Sequence, residues 1–254
     1  MFSVFVLTSG SSGNSILLCD DESSILIDCG ISGKELARRL DEIGESPDKI
    51  RGIIITHEHS DHVTGAGIVG RKYQIPIYIK SKTLCAVSDK FNKAQINIIE
   101  KHFNIERFEI ECFPVSHDAA DPIGLIVKKN NYKVGIVTDL GFVTGLVVNK
   151  LSGSDGIIIE SNYDDKMLIH SERPLFLKQR IKSRFGHLSN DDAIRLVDNV
   201  DKSKLKFIML YHISEEHNTY EIAFNRMKKY LETNNLNDIK LYACSQTQTC
   251  AYLR

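Results

Sequence analysis

The chain has 254 residues, 42% of them hydrophobic and 26% charged, a globular composition long enough to bury a substantial core. Lysine plus arginine (32) almost balance aspartate plus glutamate (33), so the formal net charge of -1 excludes a whole-molecule field as the means of holding a polyanion. Any such binding has to come from a local patch.

No Pro/Gly/Ser-rich linker, charge block or solenoid-period repeat divides the sequence, so one domain over residues 1–254 is expected. The apolar start lacks a basic n-region and meets the polar run Thr8 to Ser15 well short of the ~20 residues a membrane span needs. The six cysteines form no Cys-x-x-Cys pair and sit mostly in apolar runs, as small hydrophobes do. Reduced thiols, a cytoplasmic location and no membrane association follow as expectations.

In chain order, short apolar and β-branched runs predict strands over residues 2–7, 16–18, 24–27, 52–56, 75–79 and 108–115. Further strands are predicted over 123–127, 133–138, 156–159, 207–210 and 239–243, with Asn130-Asn131 as a hairpin turn between two of them. Ser189 with Asp192 marks a helix start ahead of Ile194, Val197 and Val200. Asn218 with Glu221 marks another, ahead of a stripe of Ala223, Phe224, Met227, Tyr230 and Leu231. Strands follow one another in the first half and mix with helices in the second. A sheet sandwich covered by helices fits this better than a doubly wound sheet.

The segment Ile53-Ile54-Ile55-Thr56-His57-Glu58-His59-Ser60-Asp61-His62 runs from a strand-type apolar stretch straight into three histidines and two acids. Residues two apart in an extended segment point the same way, so His57 and His59 can chelate one metal, while Asp61 and His62 face a second position after the chain turns. The spacing is not that of a His-Glu-x-x-His zincin, because the fifth residue from His57 is Asp61. A histidine-rich surface loop is the plain alternative.

With His-x-His-x-Asp-His met in full by His57, His59, Asp61 and His62, the chain resembles the metallo-β-lactamase superfamily over its whole length. The resemblance implies an αββα sandwich, α/β in class (α+β by composition), with two mixed β-sheets flanked by helices. It also implies two divalent ions, zinc or manganese: His57, His59 and His117 on the first, Asp61, His62 and His212 on the second, and Asp139 bridging. His117, Asp139 and His212 each lie directly behind an apolar run. Two ions about 3.5–4 Å apart can lower the pKa of a bridging water, the expected nucleophile, and clamp both oxygens of a phosphodiester.

Glu160 closes the run Gly156-Ile157-Ile158-Ile159, and His187 stands in Gly186-His187-Leu188-Ser189. These are similar to two elements of the nuclease branch, as in the tRNA 3′-processing endonuclease, in which a glutamate orients a histidine that protonates the leaving oxygen. The alternatives are a surface acid and a helix-cap residue. Asp61, Glu160 and His187 are the catalytic candidates. The opening Thr8-Ser9-Gly10-Ser11-Ser12-Gly13-Asn14-Ser15, with Ile213-Ser214-Glu215-Glu216-His217-Asn218, resembles the bacterial WalJ/YycJ group of stand-alone exonucleases. That resemblance implies a 5′-to-3′ exonuclease on double-stranded DNA in DNA repair. The rivals are a small-molecule ester, thioester or lactone hydrolase of the same fold, and a regulatory protein without metal.

Substrate contacts are expected at Ser11, Ser12 and Asn14, whose loop can offer N–H and hydroxyl groups to a phosphate. Arg180 and Arg184, within the alternating basic run Lys178, Arg180, Lys182 and Arg184, can track a DNA backbone. A solvated helix face is the equal alternative. Oligomeric state is left open by the sequence.

Overall fold

The structure, a computed structural model, describes residues 2–253. The backbone separates into two compact units: one holds the chain up to Glu111, Ala119–Pro122 and the chain from Gln246 onward, the other Cys112–Asp118 and Ile123–Ser245.

In the first unit, β1 (Phe2–Thr8), β2 (Ser15–Asp20) and β3 (Ser24–Ile27) form an antiparallel meander. Helix α1 (Gly33–Glu42) then returns the chain so that β4 (Ile50–Ile54) lies parallel to β3. Helices α2 (Ser60–Val63) and α3 (Ala66–Tyr73) precede β5 (Ile77–Ile79), and α4 (Ser81–Ala86) precedes β6 (Ile96–Ile98), each strand again parallel to the last. The C-terminal strand β14 (Cys250–Tyr252) pairs antiparallel with β1, giving the order β14-β1-β2-β3-β4-β5-β6. Parallel strands are covered on both faces, which is why Ile53, Ile54 and Ile55 form an unbroken apolar run, all fully buried. Leu7, Leu17, Leu26, Leu36, Leu40, Ile53 and Val69 meet in this unit's core.

The hairpin β7 (His102–Ile105) with the start of β8 (Phe108–Pro114) ends the first unit, and the chain passes into the second at Cys112. There β9 (Ile123–Lys129) and β10 (Tyr132–Val137) form the hairpin predicted at Asn130, whose φ of 54° is a left-handed conformation that asparagine tolerates. The strands β11 (Gly156–Glu160), β12 (Phe207–Tyr211) and β13 (Lys240–Ala243) extend this sheet in parallel. Crossovers through α5 (Gly145–Leu151), α6 (Asp165–His170), α7 (Leu175–Ile181), α8 (Asn190–Asn199) and α9 (Tyr220–Thr233) make that possible. The order is β13-β12-β11-β10-β9-β8. Val137, Leu151, Ile157, Leu196, Ile208, Ala223 and Met227 form the second core. Both sheets mix parallel with antiparallel neighbours and carry helices, as predicted.

Three details differ from the sequence reading. The strand expected over 75–79 begins at Ile77, because Gln74 ends α3 in a left-handed cap and Pro76 has no N–H to give a ladder. The strands β6, β7 and β14 are only three or four residues long and partly exposed, too short to show a period. Finally, α9 is capped by Thr219, whose hydroxyl accepts from Ile222 N at 3.0 Å, and not by Asn218. Asn218 is buried and spends its side chain elsewhere: the carboxamide donates to Ser161 O and Asn162 O and pairs with Asn190. The capping box of Ser189 and Asp192 on α8 is present as predicted.

Candidate metal centre and active site

In the first unit the apolar run of β4 ends at Ile55, and Thr56 begins a polar turn built around Asp28. The Asp28 carboxylate, buried at the end of β3, accepts from Thr56 N at 2.8 Å, Thr56 Oγ1 at 2.7 Å and His62 Nδ1 at 2.7 Å. The Thr56 hydroxyl, having given its proton to Asp28, accepts from His57 Nδ1 at 3.1 Å. Both rings therefore carry hydrogen on Nδ1, which leaves Nε2 as the lone-pair atom suited to a cation. The His57 ring centroid lies 4.6 Å from that of His59 and 4.1 Å from that of His62, so one short turn gathers three imidazoles.

Asn14 fixes the acid beside them. Its backbone N donates to Asp61 O at 2.8 Å and its Nδ2 donates to Asp61 Oδ2 at 2.9 Å, with His62 Nε2 at 3.1 Å from the same nitrogen. Its Oδ1 accepts from Gly10 N at 2.9 Å, so this fully buried side chain ties the Gly10–Asn14 loop to the histidine turn. Gly30 permits the approach: a Cβ there would fall 1.7 Å from Asp61 O. Of the other loop residues predicted to meet substrate, Ser11 and Ser12 are exposed at the turn, with Ser12 N donating to Gln246 Oε1 at 3.1 Å.

The second unit gathers its own polar group at strand ends. Glu160, at the end of β11, is fully buried, yet all its lone pairs have donors nearby. Its Oε1 accepts from His187 Nδ1 at 2.6 Å and His212 Nδ1 at 2.9 Å, and its Oε2 from Leu140 N at 2.9 Å and Leu188 N at 3.0 Å. Asp139 Oδ1 lies 3.2 Å from His212 Nδ1 and 3.8 Å from His117 Nε2, while Oδ2 accepts from Thr138 Oγ1 at 2.5 Å. His117 Nδ1 gives its hydrogen to Gly186 O at 3.1 Å, again leaving Nε2 as the lone-pair atom. One ligand-type atom from each of Asp139, Glu160, His187 and His212 lies within 4.8 Å of the others, a grouping that could hold a metal ion.

Burial pushes the Glu160 carboxyl up, but the charge of His187 and the hydrogen bonds from His187 and His212 outweigh it, holding the group below its ordinary value. For His187 burial works downward, and the Glu160 charge and hydrogen bond prevail to raise it. Asp28, Asp139 and His212 all have positive φ, 57°, 50° and 53°, an uncommon backbone for residues with side chains that marks three of the strand ends used here.

Sequence reasoning missed Asp28 and gave no role to Ser161-Asn162, the pair that follows Glu160 in the motif. Asn162 Nδ2 donates to His212 O at 2.8 Å and Asn162 N to Leu188 O at 2.9 Å, so one residue spans the loops that carry both histidines. Of the basic run, Arg180 pairs with Asp118 at 2.8 Å, Lys182 with Asp165 at 2.7 Å, and Lys178 donates to Ile169 O and Ser171 O. Arg184 instead lies over the Phe142 ring, 4.4 Å from its centroid. The run leaves α7 at Ile181, so it is not one helix face.

A family model for the beta-lactamase superfamily domain matches residues 23–213. The chain is 35% identical to the exodeoxyribonuclease YycJ of Bacillus anthracis over 232 residues, covering 89% of this chain and 88% of the relative. It is also 35% identical to the exodeoxyribonuclease WalJ of Streptococcus pneumoniae over 254 residues, 96% of this chain and 94% of the relative. In backbone it is similar to the metallo-beta-lactamase fold protein YhfI of Bacillus subtilis, with a TM-score of 0.76 at 15% identity over 99% of both chains.

Proposed function

Because the chain belongs to the beta-lactamase superfamily, we propose that this hydrolase is a metal-dependent phosphodiesterase, a 5′-to-3′ exonuclease that degrades double-stranded DNA in the cytoplasm during DNA repair. The observation that carries this reading is the single Glu160 oxygen shared by His187 and His212. It couples a proton donor to a ligand-type histidine, an arrangement suited to a poor alkoxide leaving group. A single family model running from residue 23 to 213 supports treating both units as one functional domain.

His57, His59 and His117 would hold one divalent ion, zinc or manganese, and Asp61, His62 and His212 a second, with Asp139 shared. The donor set fits: His57, His62, His117 and His212 each have Nδ1 engaged by a hydroxyl, carboxylate or carbonyl, which orients Nε2 as the ligand atom. When bound, two such ions would lower the pKa of a water and polarise the phosphoryl oxygens. The chain's own residues then move the proton. Glu160 holds His187 by Nδ1 as an imidazolium, and His187 Nε2 donates its hydrogen to the 3′ oxygen as the phosphorus–oxygen bond breaks. The buried Glu160 carboxylate stabilises the imidazolium before transfer and keeps the ring aimed after it.

The test is a manganese- or zinc-supplemented assay on duplexes labelled at either end, run beside thioester and lactone substrates. Mononucleotides released from the 5′ end are expected. Hydrolysis of the acyl substrates with intact DNA would assign the protein to the small-molecule hydrolases instead.

A further inference from the structure

Within the second unit, a recess of about 260 Å³ reaching Leu188, the residue after His187, has an apolar wall of Phe142, Val143 and Leu188 and a polar rim of Asp192, Arg195 and Asn199. Its wall is fixed to the Glu160 pair. Leu140 N and Leu188 N both donate to Glu160 Oε2, so Phe142 follows one anchored residue and Leu188 is another. Gly141 draws the 184–186 segment close: a Cβ there would meet Arg184 O at 2.5 Å and Gly186 N at 2.6 Å. Gly141 N also donates to Ser116 O at 2.7 Å, and Ser116 Oγ to Arg184 O at 2.6 Å. The backbone therefore holds Arg184 where its guanidinium covers the Phe142 ring, which is itself 42% exposed. Arg184 has no acidic partner among the described residues, whereas Arg180 and Lys182 do.

An aromatic wall, a rim bearing donors and acceptors in which Arg195 is paired with Asp192, and beside the recess the Arg184 guanidinium over Phe142 without a carboxylate suit one kind of ligand. Bases stack on aromatic and guanidinium faces and present mixed donor and acceptor edges, and each carries a phosphate on its strand. We propose that this recess is a binding subsite for an unstacked nucleobase of a DNA strand, with Arg184 on the adjoining phosphate. The inference rests on the nuclease reading and deepens it: the strand would be splayed from its duplex partner as it nears His187.

The test titrates the full-length protein, with manganese, into a short single-stranded DNA carrying a fluorescent aminopurine near its 5′ end and phosphorothioate linkages that resist hydrolysis. Stacking should quench the aminopurine. Phe142→Ala should weaken binding about tenfold or more and restore fluorescence, whereas Phe142→Trp should bind within about twofold of wild type. Replacing the aminopurine by an abasic residue should cost wild type a similar factor and cost Phe142→Ala nothing further. Unchanged binding by Phe142→Ala, or an equal loss on base-containing and abasic DNA, would overturn the subsite while wild-type cleavage of duplex leaves the nuclease reading standing. A wild-type protein that neither binds this DNA nor cleaves duplex would overturn both.

Discussion

At the scale of single residues, substitutions of His187 and Asn14 would separate the proposed proton transfer from the proposed metal holding. His187→Ala should lose about 10²–10⁴-fold on DNA, the usual scale of general acid catalysis, but far less on bis(p-nitrophenyl) phosphate, whose phenolate leaves without a proton. Equal losses on both substrates would show instead that the substitution had damaged the site as a whole. Asn14 stands among the predicted substrate contacts, yet its carboxamide is given to Asp61 and Gly10 inside the protein. Asn14→Ala should therefore lower zinc affinity about 10–100-fold in a chelator competition, the usual effect of losing a partner of a metal ligand, with DNA affinity of the loaded protein little changed. A loss confined to DNA binding would return Asn14 to the substrate. The histidine turn was legible because its ligand-type side chains are packed into six consecutive residues, 57–62. Asp28 was not, since an acid after a buried strand reads like any turn residue until its three hydrogen bonds are seen.

At the scale of elements, the ends of helices and strands show what pattern reading could and could not reach. Thr219→Ala should cost about 1 kcal/mol, as loss of an N-cap does. Asn218→Ala should cost more, on the order of 2 kcal/mol, because Ser161 O would be left buried without that donor and Asn190 Nδ2 without the Asn218 acceptor, whereas Asn162 O keeps Ser214 N. Urea unfolding of the two variants distinguishes them, and a larger cost at Thr219 would contradict the assigned roles. A capping box on α8 was legible because both partners are local in sequence; the role of Asn218 was not, because its partners lie 28, 56 and 57 residues away. On α1 the hydrogen bond from Arg38, with that from Arg39, holds the Glu35 carboxyl down to about 2 from 4.5. A depressed carboxyl stabilises above its unfolded value and loses that contribution as pH falls through the folded one. The melting-temperature gap between wild type and Glu35→Gln should therefore be constant near neutrality and shrink from about pH 4.5 downward. A gap that widens in acid would refute the pairing. Because Glu35 and Arg38 are partly exposed, the gap should also narrow in high salt.

At the scale of the whole molecule, near-neutral charge leaves the proposed DNA binding to a few local contacts, so its salt dependence should report them one at a time. Arg184→Ala should reduce the log–log slope of affinity against salt by about 0.9 on duplex DNA, and Arg180→Ala by less, since Asp118 already opposes that charge. Equal slopes in all three proteins would return the basic run to the solvated surface. The mixed sheets were legible as an order of apolar runs, whereas the closing strand β14, three residues long, was not. That strand sets a clock. Gln246 Nε2 donates to Thr8 Oγ1 and Gly13 O, and β14 covers the edge of β1, so Thr8 waits 238 residues for Gln246 and β1 slightly longer for its outer strand. At about 5–20 residues per second on the ribosome, that edge stays open for on the order of tens of seconds. A ribosome stalled before Gln246 would thus present β1 with its outer edge unpaired, the kind of surface on which chains pair with one another and aggregate.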